Sequence, residues 1–202
     1  MTFKLLSNIL SFMENLARKG ISLEEYFKIE ESSEEKHEFY RGEIYAMSGA
    51  KRKHNLIVSN LIITFGNFFK SKPCEVYPSD MRVQIDEFNH YTYPDVSLVC
   101  GKSILNEKET TLINPNVIIE VLSESTEKYD RGKKFQAYRN IPSLQNYILV
   151  SSEYKQIEVF TKSENNTWIL SEPDSEKKVF ISAIDFSLNL EDVYDKVEIE
   201  EE

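Results

Sequence analysis

Glu120 interrupts an apolar run, residues 117–122, that is otherwise typical of a fully buried strand. An isolated ionised carboxylate is strongly disfavoured in apolar surroundings, so this side chain must be protonated, paired or bound to a metal. A second acid, Asp95, opens the apolar run 96–100, and Lys134 follows Glu120 within the next predicted helix. Two acids on strands with a lysine nearby are the side chains that metal-dependent hydrolysis of a phosphodiester requires.

This chemistry needs a polarised phosphate, an activated water and a stabilised leaving oxygen. A hard cation such as Mg²⁺ or Mn²⁺ supplies all three when a few oxygen ligands hold it and leave positions open. Asp95 and Glu120 are the candidate ligands, and the backbone carbonyl of Val121 is a further one. Pro94 suits the first residue of a strand, so we expect Asp95 near a sheet end, paired beside Glu120. As alternatives, Asp95 is a turn or strand-cap acid, and Glu120 forms a buried ion pair.

Lys134 is the candidate cation beside the attacking water or the scissile phosphate. On a helix, Asp130, Lys134 and Tyr138 follow one another at four-residue intervals and share a face. Asp130 therefore either orients Lys134 or forms an ordinary surface pair with it. Lys133 points about 100° away from Lys134, towards solvent or a phosphate.

Basic residues gather where another helix is predicted to begin, and helix N-termini attract anions. They are candidate contacts for DNA phosphates, together with Lys133 and Tyr138. The alternative is an exposed loop. The cluster consists of Lys51, Arg52, Lys53 and His54.

Glu38 precedes a predicted hairpin turn and shares a strand face with Tyr40. It either assists the acids or is an ordinary acid at a strand edge.

Hydrophobic spacing and turn signals predict the elements that position these residues. Helices are expected near 22–32, 52–70 and 128–139, strands near 74–77, 80–85, 93–100, 117–122, 144–150, 156–161 and 167–170, a hairpin around Arg41-Gly42, a loop over 101–116 and a helical turn ending 185–195. This order predicts an α/β (mixed α+β) domain with a central sheet and helices on its faces.

The domain is predicted over residues 21–197, between an amphipathic helical extension at 1–20 and an acidic tail at 198–202. The formal net charge is −10, which argues against a simple nucleic-acid binder. Residues 151–202 hold 14 acids and 5 bases, and residues 1–150 hold 20 acids and 19 bases, so the acidity is largely C-terminal. The region with the unusual carboxylates is near neutral.

Cys74 and Cys100 are too few for a disulfide scaffold and lack the spacing of zinc ligands. We expect both to be buried thiols in a reducing compartment. No uninterrupted run of 18 apolar residues is present, which predicts no membrane span, and the protein is expected to be cytoplasmic.

Taken together, these segments resemble the Uma-two family of restriction endonucleases, a branch of the PD-(D/E)XK nuclease superfamily, over about residues 22–195. The resemblance lies in residues 37–43, 47–48, 54, 93–96, 119–126, 130–134 and 138. It implies a restriction-endonuclease-like core with one Mg²⁺-type site, in which Asp95 is the motif aspartate, Glu120 the motif glutamate and Glu38 the acid of the first element. The motif lysine position holds Leu122, and Lys134 matches the lysine that this family carries on the following helix.

The chain is therefore expected to be a Mg²⁺-dependent DNA endonuclease, with Asp95 and Glu120 as ligands and Lys134 and Glu38 assisting. A homodimer is considered as well, because paired sites permit double-strand cleavage. A rival hypothesis is an inactive nuclease-fold module that binds nucleic acid or a protein, which Leu122 and the acidic tail favour. A third is a structural protein with a buried ion pair at Glu120.

Overall fold

The computed structural model describes residues 18–86 and 90–199 of the chain. These residues form two compact units. The first contains the described residues up to Gly49 together with Gln84–Thr92, and the second contains Ala50–Val83 and the described residues from Tyr93 onward.

The first unit is a small sheet with one helix. Its elements are β1 (Arg18–Lys19), α1 (Leu23–Ser32), β2 (His37–Tyr40), β3 (Glu43–Ala46), the later part of β5 (Arg82–Asp86) and β6 (His90–Thr92), with the strands ordered β1-β3-β2-β6-β5. Ser22 caps α1: its hydroxyl accepts from the Glu25 N–H at 3.2 Å, while Glu25 accepts from the Ser22 N–H at 2.8 Å. The β2–β3 turn has positive φ at Arg41 (47°) and Gly42 (87°), the backbone of a tight hairpin.

The second unit is built on a six-stranded sheet ordered β12-β11-β10-β9-β7-β4. Strands β9 and β10 are parallel, and the other neighbours are antiparallel. Its elements are α2 (Arg52–Phe68), β4 (Cys74–Pro78), the start of β5, β7 (Val96–Cys100), β8 (Thr111–Leu112), β9 (Val117–Leu122), α3 (Glu127–Tyr129), a π-helix (Asp130–Lys134), α4 (Phe135–Tyr138), β10 (Asn146–Ser151), β11 (Ile157–Lys162), β12 (Trp168–Ser171), β13 (Lys178–Ile181), a 3₁₀ turn (Ser182–Ile184), β14 (Phe186–Asn189) and α5 (Leu190–Val193).

The two faces of this sheet have different neighbours. One face and the buried stripe of α2 form the main core, which includes Ile57, Leu61, Val96, Ile119 and Ile148. Because side chains alternate along a strand, Glu120 on β9 and Tyr147 on β10 project from the other face. The helical run Glu127–Tyr138 covers that face, where the Phe135 ring lies 4.9 Å from the ring of Tyr147.

The predicted fold class is confirmed, because the structure is a mixed α/β arrangement of large sheets flanked by a few helices. The capped helix, the hairpin, α2, β9 and the three strands after the helical run lie where periodicity predicted them. The predicted 101–116 loop contains the short strand β8, and the strand predicted at 93–100 begins at Val96. Strands β6, β13 and β14 and the π-helix were not predicted. The short strand and the π-helix carry no periodicity signal of their own.

The prediction of two free thiols is wrong. Strand β4 pairs with β7 so that Cys74 lies opposite Cys100, with their Cα atoms 4.0 Å apart, and the two sulfurs form a disulfide. The spacing of the cysteines in the sequence could not reveal this pairing, because strand register decides it.

The ends of the chain lie largely outside the described residues. This holds for residues 1–17 of the predicted helical extension, after which Arg18–Lys19 form β1, and for residues 200–202 of the acidic tail. The boundaries at 20 and 197 stay predictions. In the described ranges, no helix combines the length and apolar character needed to cross a lipid bilayer.

Candidate active site

Strand register brings Asp95 and Glu120 side by side. Val96 of β7 pairs with Ile119 of β9, and continuing this antiparallel register by one residue places Asp95 opposite Glu120. The backbone N–H of Val121 donates to Asp95 Oδ2 at 2.7 Å. The carboxylate of Asp95 is therefore held against β9 at the start of its own strand, as the proline-preceded position predicted.

Two donors meet at one oxygen of Glu120. The Tyr138 hydroxyl donates to Oε1 at 2.7 Å, and Lys134 Nζ lies 2.9 Å from the same oxygen. The side chains of Glu120 and Lys134 are only 5% and 7% exposed. Lys134 Nζ also lies 3.7 Å from Asp130 Oδ1. The predicted shared face of Asp130, Lys134 and Tyr138 therefore carries a buried polar cluster around Glu120.

A π-helical turn holds this cluster. The N–H of Phe135 donates to the carbonyl of Asp130, five residues earlier, which is the hydrogen bond that defines a π-helix. Such turns are rare and frequently occur at functional sites. The Tyr147 hydroxyl donates to the same carbonyl at 3.1 Å, which anchors the turn to β10.

A second anchor of the π-helix is an ion-pair chain that sequence reasoning missed. Arg131 Nε lies 2.7 Å from Glu127 Oε1, and the Arg131 guanidinium also contacts the carboxylate of the buried Glu158 on β11. The spacing of Glu127 and Arg131 on a helix was a visible signal for the first pair. Nothing local in the sequence points to Glu158.

The electrostatics of the cluster favour the uptake of positive charge. Burial raises the pKa of the Glu120 carboxyl well above its usual range, and the charges of Asp130 and Asp95 raise it further, while Lys134 and the Tyr138 hydrogen bond lower it. Three carboxyl groups thus act on this position with one ammonium, so a proton or a cation is stabilised there. Burial, and next the charge of Glu120, also raise the pKa of Tyr147.

His54 belongs to this region in a way that sequence reasoning did not foresee. Its Nε2 lies 3.2 Å from Asp95 Oδ2, and among the described residues its buried Nδ1 has no hydrogen-bond partner. The sequence predicted His54 as a member of the basic cluster that contacts DNA phosphates. The contact with Asp95 depends on how α2 packs on β7, which the sequence pattern does not encode.

The remaining predicted residues are distributed as follows. Lys51 and Arg52 are exposed at the start of α2, Lys53 is half-buried there, and Lys133 is exposed on the π-helix. Tyr138, predicted to contact nucleic acid, is fully buried. Glu38 is buried in the first unit on β2, opposite Tyr45 of β3.

The donor set of Asp95 and Glu120 suits a hard cation, since carboxylate oxygens are the ligands that Mg²⁺ and Mn²⁺ prefer. Asp95 and Glu120 also occupy neighbouring register positions, and the carboxyl groups around Glu120 outnumber the ammonium groups. Both features suit a bound cation. Within the described part of the chain, however, no group of three or more His, Cys, Asp or Glu side chains is arranged to hold a metal. Protein side chains alone would therefore supply few ligands, as is usual for Mg²⁺ sites that retain waters.

Comparison with known proteins identifies a family and two relatives that this chain resembles. The model of a family described as "Uma2: Putative restriction endonuclease" matches residues 23–191. Two uncharacterized proteins of Synechocystis sp. are similar to this chain. The protein slr1290 is 38% identical, and the match covers 86% of this chain and 91% of slr1290. The protein sll1609 is 35% identical, and the match covers 76% of this chain and 88% of sll1609.

A crystal structure described as a putative nuclease belonging to DUF820 from Anabaena variabilis superposes with a TM-score of 0.72, covering 88% of this chain and 99% of that one. At 19% identity, this likeness shows a shared fold.

Proposed function

The chain belongs to the Uma2 family, and from this premise we propose that it is a metal-dependent endonuclease that hydrolyses phosphodiester bonds in DNA. The family and the fold support a nuclease. The metal, the DNA substrate and the cleavage within a strand are the parts that we add. The observation that supports metal-dependent hydrolysis is the buried contact of Lys134 with Glu120 on the strand next to Asp95.

Asp95 and Glu120, with the carbonyl of Val121, are the proposed ligands of Mg²⁺ or Mn²⁺. Burial is the main cause of the raised pKa of Glu120, and the charges of Asp130 and Asp95 raise this pKa further. These two neighbouring carboxylates support the assignment, because they would also attract a bound cation. When bound, the metal would polarise the scissile phosphate and lower the pKa of a water molecule.

The chain's own side chains perform the other tasks. Lys134, held at 2.9 Å from Glu120, is placed to position the attacking water or to neutralise charge on the phosphate. Asp130 orients the Lys134 ammonium, and the Tyr138 hydroxyl orients the Glu120 carboxylate, which makes Tyr138 a positioning residue rather than a DNA contact. In-line attack on phosphorus would leave a 5′-phosphate and a 3′-hydroxyl.

Substrate binding is assigned to exposed cations. Lys51, Arg52 and Lys53 at the start of α2, and Lys133 on the π-helix, are proposed contacts for DNA phosphates, and His54 contributes beside Asp95. Glu38 keeps its proposed role as an assisting acid. The Cys74–Cys100 disulfide removes the free thiols from which a reducing compartment was expected, so the cytoplasmic location stays a prediction. A homodimer would pair two sites for double-strand cleavage.

The test is cleavage of plasmid and single-stranded DNA with Mg²⁺ or Mn²⁺ by five proteins. Glu120→Gln and Lys134→Met change the proposed site, while Glu124→Gln and Lys128→Met make the same changes at exposed positions. Each protein is assayed at a temperature at which its circular dichroism shows it to be folded. We expect each site variant to lose about 10²-fold or more in rate, and each control to stay within about twofold of the wild type. Equal rates in all five proteins would contradict the proposal.

A second candidate is a module that binds nucleic acid or a protein without cutting it. Leu122 favours this function, because it occupies the position where the resemblance expects the motif lysine. Such a module would bind a labelled duplex equally well in the wild type and in folded Glu120→Gln, with no metal-dependent product in either.

A further inference from the structure

A cleft of about 430 Å³ lies at the end of α4, beside the β11–β12 hairpin. It is open to solvent and lined mainly by polar groups, so it differs from the enclosed, mostly apolar sites of typical small-molecule ligands. Its lining contains two cations, three amides, one indole and no acid: Gln136, Arg139, Asn140, Lys162, Asn166 and Trp168. None of these residues belongs to the proposed catalytic cluster.

Phe135 supports two walls of the cleft. The edge-to-face contact between the rings of Phe135 and Trp168 has a centroid distance of 5.4 Å and an interplanar angle of 83°. The guanidinium of Arg139 lies 5.4 Å from the centroid of the same Phe135 ring. Lys162 is the register partner of Trp168 across β11 and β12. The Trp168 ring is therefore supported by Phe135, and both cations of the cleft lie on neighbouring positions of these elements.

The two cations of the cleft lack acidic partners among the described residues. Within the part of the chain that the structure describes, Lys162 and Arg139 form no ion pair, and no acid lines the cleft. The amide nitrogen of Asn140 donates to the carbonyls of Gln136 and Ala137, so its Oδ1 is the group left to accept a hydrogen bond from a ligand. Uncompensated cations beside an aromatic ring and amides match an anion that carries a planar, polar ring.

We propose that this cleft binds a nucleotide, with the base stacked on Trp168, the phosphate between Arg139 and Lys162, and the amides at the base edge. Stacking on an aromatic side chain combined with cationic contacts to phosphate is how proteins bind single-stranded nucleic acid. The nucleotide belongs either to a single strand or to a free mononucleotide. The site does not depend on the proposed nuclease activity, since it uses neither Asp95, Glu120 nor Lys134.

Trp168 provides a direct measurement, because it is the one tryptophan of the chain. Its fluorescence would be titrated with deoxyadenosine 5′-monophosphate, deoxyadenosine, inorganic phosphate and an oligodeoxyadenylate octamer, all in the presence of a chelator of divalent metals. We expect saturable quenching by the monophosphate, and binding weaker by about tenfold or more for the nucleoside and for phosphate. Absence of saturable quenching by both the monophosphate and the octamer would overturn the proposal.

The octamer distinguishes the two sources of the nucleotide. Binding about tenfold tighter than that of the monophosphate, with a steep salt dependence, identifies a nucleic-acid strand. Equal affinities for the octamer and the monophosphate identify a free nucleotide.

Matched variants test the assigned cations. Lys162→Gln is expected to weaken binding by about fivefold or more, and Lys155→Gln, a change at an exposed lysine of the β10–β11 turn, by less than about twofold. Equal weakening by the two variants would contradict the assignment.

Glu120→Gln separates this proposal from the proposed function, because it should abolish DNA cleavage and leave quenching of Trp168 unchanged. Loss of quenching in this variant would contradict an independent cleft.

Discussion

Glu120 combines deep burial with two donors on one carboxylate oxygen. The Tyr138 hydroxyl and the Lys134 ammonium both approach Oε1, and Lys134 is shared with Asp130. Removing one member of a buried ion pair is more harmful than removing the whole pair, since the remaining charge loses both solvent and partner. The individual members of the cluster should therefore differ in their effect on stability.

Lys134→Met should be strongly destabilising, because it leaves Glu120 and Asp130 buried near each other without the ammonium. We expect the free energy of unfolding to fall by about 3–5 kcal/mol, against at most about 0.5 kcal/mol for the exposed control Lys128→Met. Urea unfolding of both variants gives the comparison. Coincident unfolding curves would show that the pair contributes no net stability.

The pH dependence of stability should reveal the perturbed carboxyl. Because the pKa of Glu120 is raised in the folded protein, its contribution is fully present below the unfolded value of 4.5 and is lost as the pH rises through the folded pKa. In metal-free buffer, the unfolding free energy of the wild type minus that of Glu120→Gln should therefore decrease from pH 4.5 upward. A difference independent of pH would contradict the assigned pKa shift.

At the scale of elements, the π-helix determines where the catalytic candidates lie. Its wide turn spans Asp130–Lys134, and the contacts of Arg131 with Glu158 and of Tyr147 with the Asp130 carbonyl join it to the sheet. Gly132 lies in the middle of the turn, but its φ is not positive and a Cβ there would meet nothing within 4 Å. The glycine is therefore not required by the backbone conformation.

Gly132→Ala should stabilise the protein by about 0.5–1 kcal/mol, because alanine restricts the unfolded chain and suits a helical backbone. Gly101→Ala is the contrasting change, since Gly101 has φ of 93°, and it should destabilise by about 1 kcal/mol. Thermal unfolding of the two variants would show shifts of opposite sign. A loss of stability in Gly132→Ala would mean that the π turn requires glycine.

At the scale of the whole molecule, the disulfide ties the edge strand β4 to β7, whose first residue follows Asp95. The cross-link joins cysteines 26 residues apart and so restricts the unfolded chain over that loop. It also keeps the strand that positions Asp95 in register with its neighbour.

Reduction of Cys74–Cys100 should lower the free energy of unfolding by about 3–4 kcal/mol, as chain entropy predicts for a loop of this length. Thermal unfolding with and without a strong thiol reductant measures the effect. The double variant Cys74→Ala/Cys100→Ala is the control and should be indifferent to the reductant. If the wild type unfolds at the same temperature with and without the reductant, the cross-link contributes little to stability.

The sequence by itself determined which elements form and which of them carry the unusual residues. Capping at Ser22, the Arg41-Gly42 turn, the spacing of α2 and the apolar run around Glu120 are local signals, and local backbone preferences act between residues close in the chain. The shared face of Asp130, Lys134 and Tyr138 was predictable for the same reason. The resemblance to the Uma2 family was confirmed by the family match over 23–191.

Only the tertiary structure decided which distant residues meet. The Cys74–Cys100 disulfide, the contact of His54 with Asp95 and the approach of Arg131 to Glu158 each join separate elements. The cleft at Trp168 likewise combines a helix end with a hairpin. Strand register and the packing of helices on a sheet set these contacts, and both follow from the simultaneous fit of many buried side chains, which no local pattern in the sequence specifies.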